Sequence, residues 1–398
     1  MKPFAERVNN IQPSMTVEID SLAKDLSKDG RSIWNLGVGE SNFNTPDHIR
    51  EDAIKSIKKG LTRYTAPSGM IHFKEAVANK LYVENNLAYV PEQIVATSGA
   101  KHAVFNAISA LVNAGDEVLI PAPYWVTYPD LVRYCGGVPV FLECKAEHGF
   151  RLEKEQIKKA VTLKTKAIIL NSPCNPTGVV YSKEELESFA EVIVEKDLYC
   201  ISDEIYEHLV YESDSAISIA TMPNMQERTI VVNGFSKAYC MTGWRIGYLA
   251  APIEIAQAIA KMQGQTTHHP SNISQYGAIA ALSGPFESVI IMKQELAARM
   301  FRVCGTLESI PEIRFSKAEG AFYIFADVSA FYGKKTTEGT KITNSIEFCK
   351  ALLDEHSVVI MPGVAFGRDS CVRISFTASL PTLSVAMPRF RDFVEGLK

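Results

Sequence analysis

The stretch Asn233-Gly-Phe-Ser-Lys237-Ala-Tyr-Cys-Met-Thr-Gly-Trp-Arg245-Ile-Gly-Tyr248 sets a lysine and an arginine eight positions apart between two apolar runs. The runs, 229–233 and 246–250, read as buried strands. A primary amine among small and polar residues just after a buried strand is well placed to form an imine with a carbonyl compound. A guanidinium beside it, that of Arg245, can meet an anion. One molecule carrying both an aldehyde and a phosphate would satisfy the pair, and pyridoxal phosphate is the obvious candidate.

Other polar groups close other apolar runs. Ser98-Gly99-Ala100-Lys101 joins a strand to a helix. Small residues there leave backbone N–H groups free at a helix N-terminus, which suits a phosphate, and Lys101 adds charge. A purely structural glycine turn is the plainer alternative. Asn171-Ser-Pro-Cys-Asn-Pro-Thr-Gly178 is either a rigid loop or a mount for Asn175, whose amide can donate to a phenolate or carboxylate oxygen. Asp203-Glu204-Ile-Tyr206 ends the run that starts at Leu198. A buried carboxylate there could keep a pyridine nitrogen protonated, so that the ring becomes an electron sink, and Tyr206 could bond a ring hydroxyl. An exposed acidic pair capping a turn would give the same letters.

Trp125, just past a strand, can stack on a flat ring or simply fill a core. Tyr64 lies in the turn-rich Thr62-Arg-Tyr-Thr-Ala-Pro-Ser-Gly69, where no core needs an aromatic. Arg373 is a charge inside the apolar Val372-Arg-Ile-Ser-Phe376. Buried arginine is rare unless paired, so its partner is either a structural Asp or Glu or a substrate carboxylate in a bidentate clamp.

These residues need a scaffold that gathers them. Over residues 94–250, apolar runs at 94–97, 117–120, 138–141, 167–170, 198–201, 230–232 and 246–250 alternate with helix-like stretches such as 101–112 and 183–196. Ser182 and Glu185 give the last of these a capping-box start. Such alternation predicts an α/β fold: a largely parallel, seven-stranded sheet with helices on both faces. Ligands of such sheets bind beyond the carboxyl ends of the strands, where the polar groups above cluster. After about residue 285 the pattern becomes that of a smaller α+β domain, with a long helix over 285–309, a segment Gly320-Ala-Phe-Tyr-Ile-Phe-Ala-Asp327, a helix near 345–355, strands at 358–360 and 372–375, and a last helix. The expected division is an N-terminal arm (1–45) packing on the small domain and across a subunit boundary, a large domain (46–285) and a small domain (286–398).

Bulk composition narrows the function further. The chain has 398 residues, 46% hydrophobic and 22% charged, with a net charge of −4 and no basic block, so neither nucleic acid nor an anionic membrane is an expected partner. No apolar run approaches a membrane span, and Met1-Lys-Pro-Phe-Ala-Glu-Arg-Val lacks a signal peptide's apolar core. Eight scattered cysteines form no C-x-x-C pair, so no metal is expected, and buried free thiols in a reducing cytoplasm are the expectation. No G-x-G-x-x-G follows a first strand, which argues against a nicotinamide enzyme. No basic helix-turn-helix precedes the fold, which argues against a regulator built on it.

Taken together, the residues resemble class I aminotransferases of the fold-type I pyridoxal-phosphate superfamily, most closely the bacterial aspartate aminotransferases of the Ib subgroup. The matching motifs span nearly the whole chain: Gln12-Pro-Ser-Met-Thr16, Leu36-Gly-Val-Gly-Glu40, Tyr64 to Gly69, Pro123-Tyr-Trp-Val-Thr-Tyr-Pro129, Asn175-Pro-Thr-Gly178, Ser202-Asp-Glu-Ile-Tyr206 and Met241-Thr-Gly-Trp-Arg-Ile-Gly-Tyr248. The resemblance implies that Lys237 forms the imine and shuttles the proton, that Asp203 pairs with the pyridinium, and that Tyr206 and Asn175 contact the ring oxygen. It further implies that Trp125 stacks on the ring and that Gly99, Ala100, Lys101 and Arg245 surround the phosphate. Tyr64 would reach the phosphate of a neighbouring subunit in a homodimer. Arg373, Asn175, Trp125 and the Gly39 backbone would hold the substrate α-carboxylate, and Lys101 the distal carboxylate of aspartate or glutamate, with 2-oxoglutarate as amino acceptor.

Three departures stand out. Thr266-Thr-His-His-Pro270 carries His268 and His269 where relatives have small polar residues, and His269 could reshape the distal pocket of the neighbouring site. Gln12 replaces a lysine common where prephenate is accepted. Glu40-Ser-Asn-Phe43 replaces Glu-Pro-Asp-Phe, a change expected to alter only a loop. Aromatic or prephenate aminotransferase and carbon–sulfur lyase are the alternatives within the same fold.

Overall fold

A strand that is apolar on both faces is stable only when both faces are covered. That requirement organises the protein. The structure, a computed structural model, describes residues 4–11, 15–28, 30–213 and 215–398. The short β1 (Trp34–Asn35) stands apart from the main sheet. β2 (Ile94–Thr97), β3 (Glu117–Ala122), β4 (Val138–Glu143), β5 (Thr165–Asn171), β6 (Tyr199–Asp203), β7 (Thr229–Gly234) and β8 (Gly247–Ala250) form one sheet in the order β2-β8-β7-β6-β5-β3-β4. All its pairings are parallel except those of β8, which runs against both β2 and β7. The seven expected runs are thus its seven strands.

Successive residues of a strand serve opposite faces. In β7, Ile230 and Val232 pack with Val104 and Ile108 of helix Ala100–Leu111 and Ile259 of helix Ile253–Gly264. Val231 packs the other way, with Phe73 and Val77 of helix Ile71–Asn85 and Ala278 of helix Asn272–Ser283. All three strand residues are fully buried, and each such side chain stabilises the fold by roughly 1.5–3 kcal/mol. Helix Lys183–Glu195 starts as its capping box requires, with Ser182 Oγ accepting from the Glu185 N–H (3.3 Å) and the Glu185 carboxylate accepting from the Ser182 N–H (2.8 Å).

β9 (Arg314–Phe315), β10 (Tyr323–Asp327), β11 (Val358–Val359), β12 (Met361–Pro362) and β13 (Cys371–Ser375) follow the long helix Glu287–Glu308. The antiparallel order β12-β13-β10-β9 makes a second sheet, whereas β11 pairs in parallel with β1. The single strand expected at 358–360 is therefore two: around Ile360 the chain leaves β1 and joins β13. β1 runs on into the cleft segment, because the Leu36 N–H donates to Val359 O (2.8 Å) and Leu36 O accepts from the Ser375 N–H (2.7 Å).

The arm touches both parts of the chain. Helix Met15–Lys28 lies against β11, while the short helix Glu6–Asn9 sits beside helix Thr127–Tyr134 of the large-sheet region. Gln12 lies outside the described residues, as do Pro13 and Ser14 of the same motif. All eight cysteines are free thiols. No helix among the described residues is long and apolar enough to cross a membrane.

Candidate active site

The carboxyl ends of β5, β6 and β7, the turn after β2 and the entry to β8 converge on one cleft of about 560 Å³. Its wall includes Gly39, Ala100, Lys101, Trp125, Asn175, Asp203, Tyr206, Lys237, Arg245 and Arg373. Every site residue expected from the sequence therefore lines it except Gly99, which lies beneath the rim, and Tyr64.

Lys237 stands three residues past β7, with Nζ donating to Gly39 O at 2.6 Å. The amine lies 5.5 Å from the ring centroid of Phe322 and 5.6 Å from that of Tyr206. Burial lowers its pKa to about 8; the charges of Arg373 and Arg245 add to this, and those of Glu40 and Asp203 oppose it.

Asp203 ends β6 and is buried. Tyr128 Oη donates to its Oδ2 (2.7 Å) and the Ile205 N–H to its Oδ1 (3.3 Å). Burial raises this carboxyl to about 6, while the two hydrogen bonds and Lys237 pull it back down. Asn171 Nδ2 donates to Asp203 O (2.9 Å), and Asn171 Oδ1 accepts from the Asn175 N–H (2.8 Å). The ends of β5 and β6 are thus bolted together with Asn175 above them.

Arg373, on β13, is buried. Nη1 donates to Asn175 Oδ1 (2.9 Å) and Nη2 to Gly37 O (2.7 Å). The guanidinium lies 4.3 Å from the ring centroid of Tyr323 and 4.7 Å from that of Phe366. Among the described residues no carboxylate pairs with it, and its buried Nε meets no acceptor. Burial accordingly depresses its pKa. Of the two partners open to Arg373 in the sequence, a structural carboxylate is not found among the described residues.

Gly99 caps helix Ala100–Leu111 with φ +88°, a conformation that favours glycine. A Cβ there would fall 2.6 Å from Arg245 Nη2. The Ser98 N–H is taken by His102 Nδ1 (3.2 Å) and the Gly99 N–H by Thr97 O (2.7 Å). The N–H groups of Ala100 and Lys101, in the helix's first turn, are left to serve a ligand. Arg245 reaches the same turn, with Nη1 donating to Thr242 O (2.7 Å) and Nη2 to Ser98 O (3.3 Å). Lys101 Nζ sits 5.1 Å from the Trp125 ring centroid, its pKa lowered by partial burial and by Arg245. The cleft thus joins an anion cradle at one end, a buried arginine at the other and an amine between them.

The profile of the family described as Aminotransferase class I and II matches residues 31–387. The aspartate aminotransferase of Bacillus subtilis (strain 168) is 42% identical, covering 98% of this chain and 99% of its own. An aspartate/prephenate aminotransferase of Cereibacter sphaeroides is 40% identical over 99% of both chains. The crystal structure of the aspartate aminotransferase from Rhizobium meliloti superposes over 100% of both chains with a TM-score of 0.96 at 38% identity.

The chain belongs to the class I and II aminotransferase family.

Several residues of this aminotransferase's cleft were missed by the sequence reading. Tyr128 holds Asp203, and its spacing of three from Trp125 on a helix start was a readable signal. Tyr323 carries Arg373 on its ring and bonds Tyr206 (Oη···Oη 3.0 Å); only strand register brings it there, so no local signal existed. Glu40 lines the cleft and accepts from Thr242 Oγ1, while Asn42 Oδ1 accepts from Arg299 Nη1 (2.7 Å). The two changed positions, Ser41 and Asn42, lie beside Glu40 without lining the cleft themselves.

Tyr64 is 89% exposed and does not line the cleft of its own chain. His269 Nε2 accepts from the Thr65 N–H (3.1 Å), and Nδ1 bonds Pro270 O (2.8 Å). With both ring nitrogens engaged by backbone, His269 ties the Tyr64 turn to the segment that carries it.

Proposed function

We propose that this aminotransferase moves the amino group of L-aspartate, or a related amino acid, to 2-oxoglutarate in two half-reactions at this cleft, with pyridoxal 5′-phosphate as cofactor. The cofactor suits the residues present: the cradle at Gly99 leaves two helix N–H groups and Arg245 for a phosphate, and the acid of Asp203 waits at a strand end for a ring nitrogen. When bound, pyridoxal phosphate supplies an aldehyde for the amine and a protonated ring that withdraws electrons from the substrate Cα.

The chain's own residues do the rest. Lys237, with a pKa near 8, loses its proton close to neutrality and can then take the Cα proton and return it to a neighbouring carbon. Asp203 offers its anion to the ring nitrogen, oriented by Tyr128 and the Ile205 N–H. Asn175 has its carbonyl oxygen engaged by Arg373, so its Nδ2 is the end that donates to the ring oxygen or the substrate carboxylate, alongside Tyr206. Trp125 covers the ring face. Arg373, with the Gly39 backbone, takes the α-carboxylate, and Lys101 at the rim takes a distal carboxylate. Tyr64 comes from a second subunit, so the working unit is a homodimer, in the cytoplasm. Division at 45/46 and 285/286 into arm, large domain and small domain completes the reading.

The observation that carries it is Lys237: a pKa-lowered amine between a strand-end acid and a buried arginine that lacks a carboxylate partner. Lys237→Ala is expected to abolish both the imine absorbance and turnover; normal turnover in this variant would end the proposal. Aspartate is favoured by the names of the relatives and by the cations at the cleft rim. The aspartate/prephenate relative keeps a second substrate in play. Half-reaction spectra with aspartate, glutamate, phenylalanine and the amino product of prephenate distinguish these donors, and oxo-acid release without an acceptor would indicate a lyase.

A further inference from the structure

The Tyr64 turn is secured on both sides of its aromatic residue. On one side His269 Nε2 accepts the Thr65 N–H (3.1 Å); on the other, Asn272 Nδ2 donates to Arg63 O. A carbonyl oxygen can only accept, so in this arrangement Nδ1 of His269 donates to Pro270 O and Nε2 accepts the Thr65 N–H. The Tyr64 ring stands edge-on to His268 (5.5 Å) and His269 (5.9 Å).

Fixing a residue costs roughly 1–2 kcal/mol of backbone entropy, which burial normally offsets. Tyr64 is tethered through the backbone on both sides yet 89% exposed, so its own chain gains little burial from it. The phosphate end of the cleft, meanwhile, is open: Arg245 and Lys101 are both exposed at its rim. A tethered, unburied phenol and an open anion cradle fit one another across two copies of the chain.

We propose that His269 is a positioning residue acting in trans: it holds the 63–65 turn so that Tyr64 completes the phosphate end of the cleft in a second copy of this chain. This rests on the pyridoxal-phosphate reading and adds the residue that sets where Tyr64 stands. His269 touches neither substrate nor cofactor and acts through the Thr65 N–H.

The test is cofactor affinity, read by titrating apoenzyme with pyridoxal phosphate and following imine absorbance. Loss of one positioning hydrogen bond predicts a Kd raised about tenfold in His269→Ala. Tyr64→Phe should do the same, and the double variant should be no worse than Tyr64→Phe alone, because both changes remove one contact. Additive losses in the double variant would overturn the proposal.

Hybrid dimers assign the direction. With Lys237→Ala on one subunit and His269→Ala on the other, the single imine-forming cleft is served by an intact His269 and should bind as the wild type does. With both changes on one subunit, the remaining cleft is served by the altered turn and should show the raised Kd. The reverse pattern would overturn action in trans. If His269→Ala fails to assemble, His269→Gln carries the same comparison. Wild-type apoenzyme that takes up no pyridoxal phosphate would refute the cofactor reading itself, before any variant is made.

Discussion

Arg373 is prepared for an anion before one arrives. Asn175 and Gly37 fix its two terminal nitrogens and two aromatic rings hold its plane, so little orientation is left to lose on binding. Arg373→Ala should weaken substrate binding by about 2–5 kcal/mol, seen as a raised KM. Arg373→Lys should rescue little, because an ammonium cannot keep the planar fork. Asp203 makes a pH prediction. Its carboxyl in the ligand-free protein titrates near 6, so affinity for pyridoxal phosphate should fall as pH drops through that value and the anion is lost. Tyr128 stabilises the charged form, so Tyr128→Phe should move the midpoint upward. A midpoint that stays put on titration would show that Tyr128 does not tune the acid. At this scale the sequence was highly legible: Arg373 is a charge inside an apolar run, Asp203 ends one and Lys237 closely follows one. Tyr323 was not, because its place beside Arg373 exists only once β10 and β13 pair.

Among the elements, the turn before helix Ala100–Leu111 leaves little room for a side chain. Gly99→Ala would place a Cβ against Arg245 and force a left-handed conformation, so cofactor affinity should drop without loss of the sheet. Titration of the apoenzyme measures the first and circular dichroism the second. Behind the cleft, Glu207 is buried and accepts from Lys80, from Asn85 Nδ2 (2.8 Å) and from Asn233 Nδ2 (2.7 Å). Asn233 Oδ1 in turn accepts from the Gly234 N–H (2.7 Å), three residues before Lys237. Burial alone would raise Glu207, but Lys80 and His208 outweigh it and hold the carboxyl at about 2. Its stabilisation is therefore present above the ordinary value of 4.5 and is lost as pH falls toward 2. Glu207→Leu should destabilise the protein by about 3–5 kcal/mol in urea unfolding, because the buried Lys80 loses its close carboxylate and keeps only Asn85 Oδ1 (2.7 Å) and the more distant Glu84 (3.6 Å). None of this network was read from the sequence: its members lie far apart along the chain and meet only through helix-on-sheet packing. The strands themselves were legible because both faces are covered, which leaves an unbroken apolar signal.

For the whole molecule, the proposed dimer predicts that sedimentation of the holoenzyme gives twice the chain mass, and that dilution to monomers loses activity together with cofactor. A fully active monomer would rule out the shared site. The two-part architecture was legible from the change of texture near residue 285, and the N-terminal arm only in part. Its helix Met15–Lys28 lies against β11, whereas the helix Glu6–Asn9 meets the large-sheet region through residues that no periodicity marks. The reversal of β8 has its own consequence. The chain leaves the sheet after Gly234 and returns at Gly247, with Gly234 opposite Gly247 in the register, so both ends of the excursion are nailed to one place. Lys237 rides the outward limb and Arg245 the return. The excursion is a ruler: it sets the span between amine and guanidinium, and in the proposed reaction that span is matched to the distance between the cofactor's carbonyl and its phosphate. Lengthening it by a single residue would spoil that measurement while every individual contact group remained present.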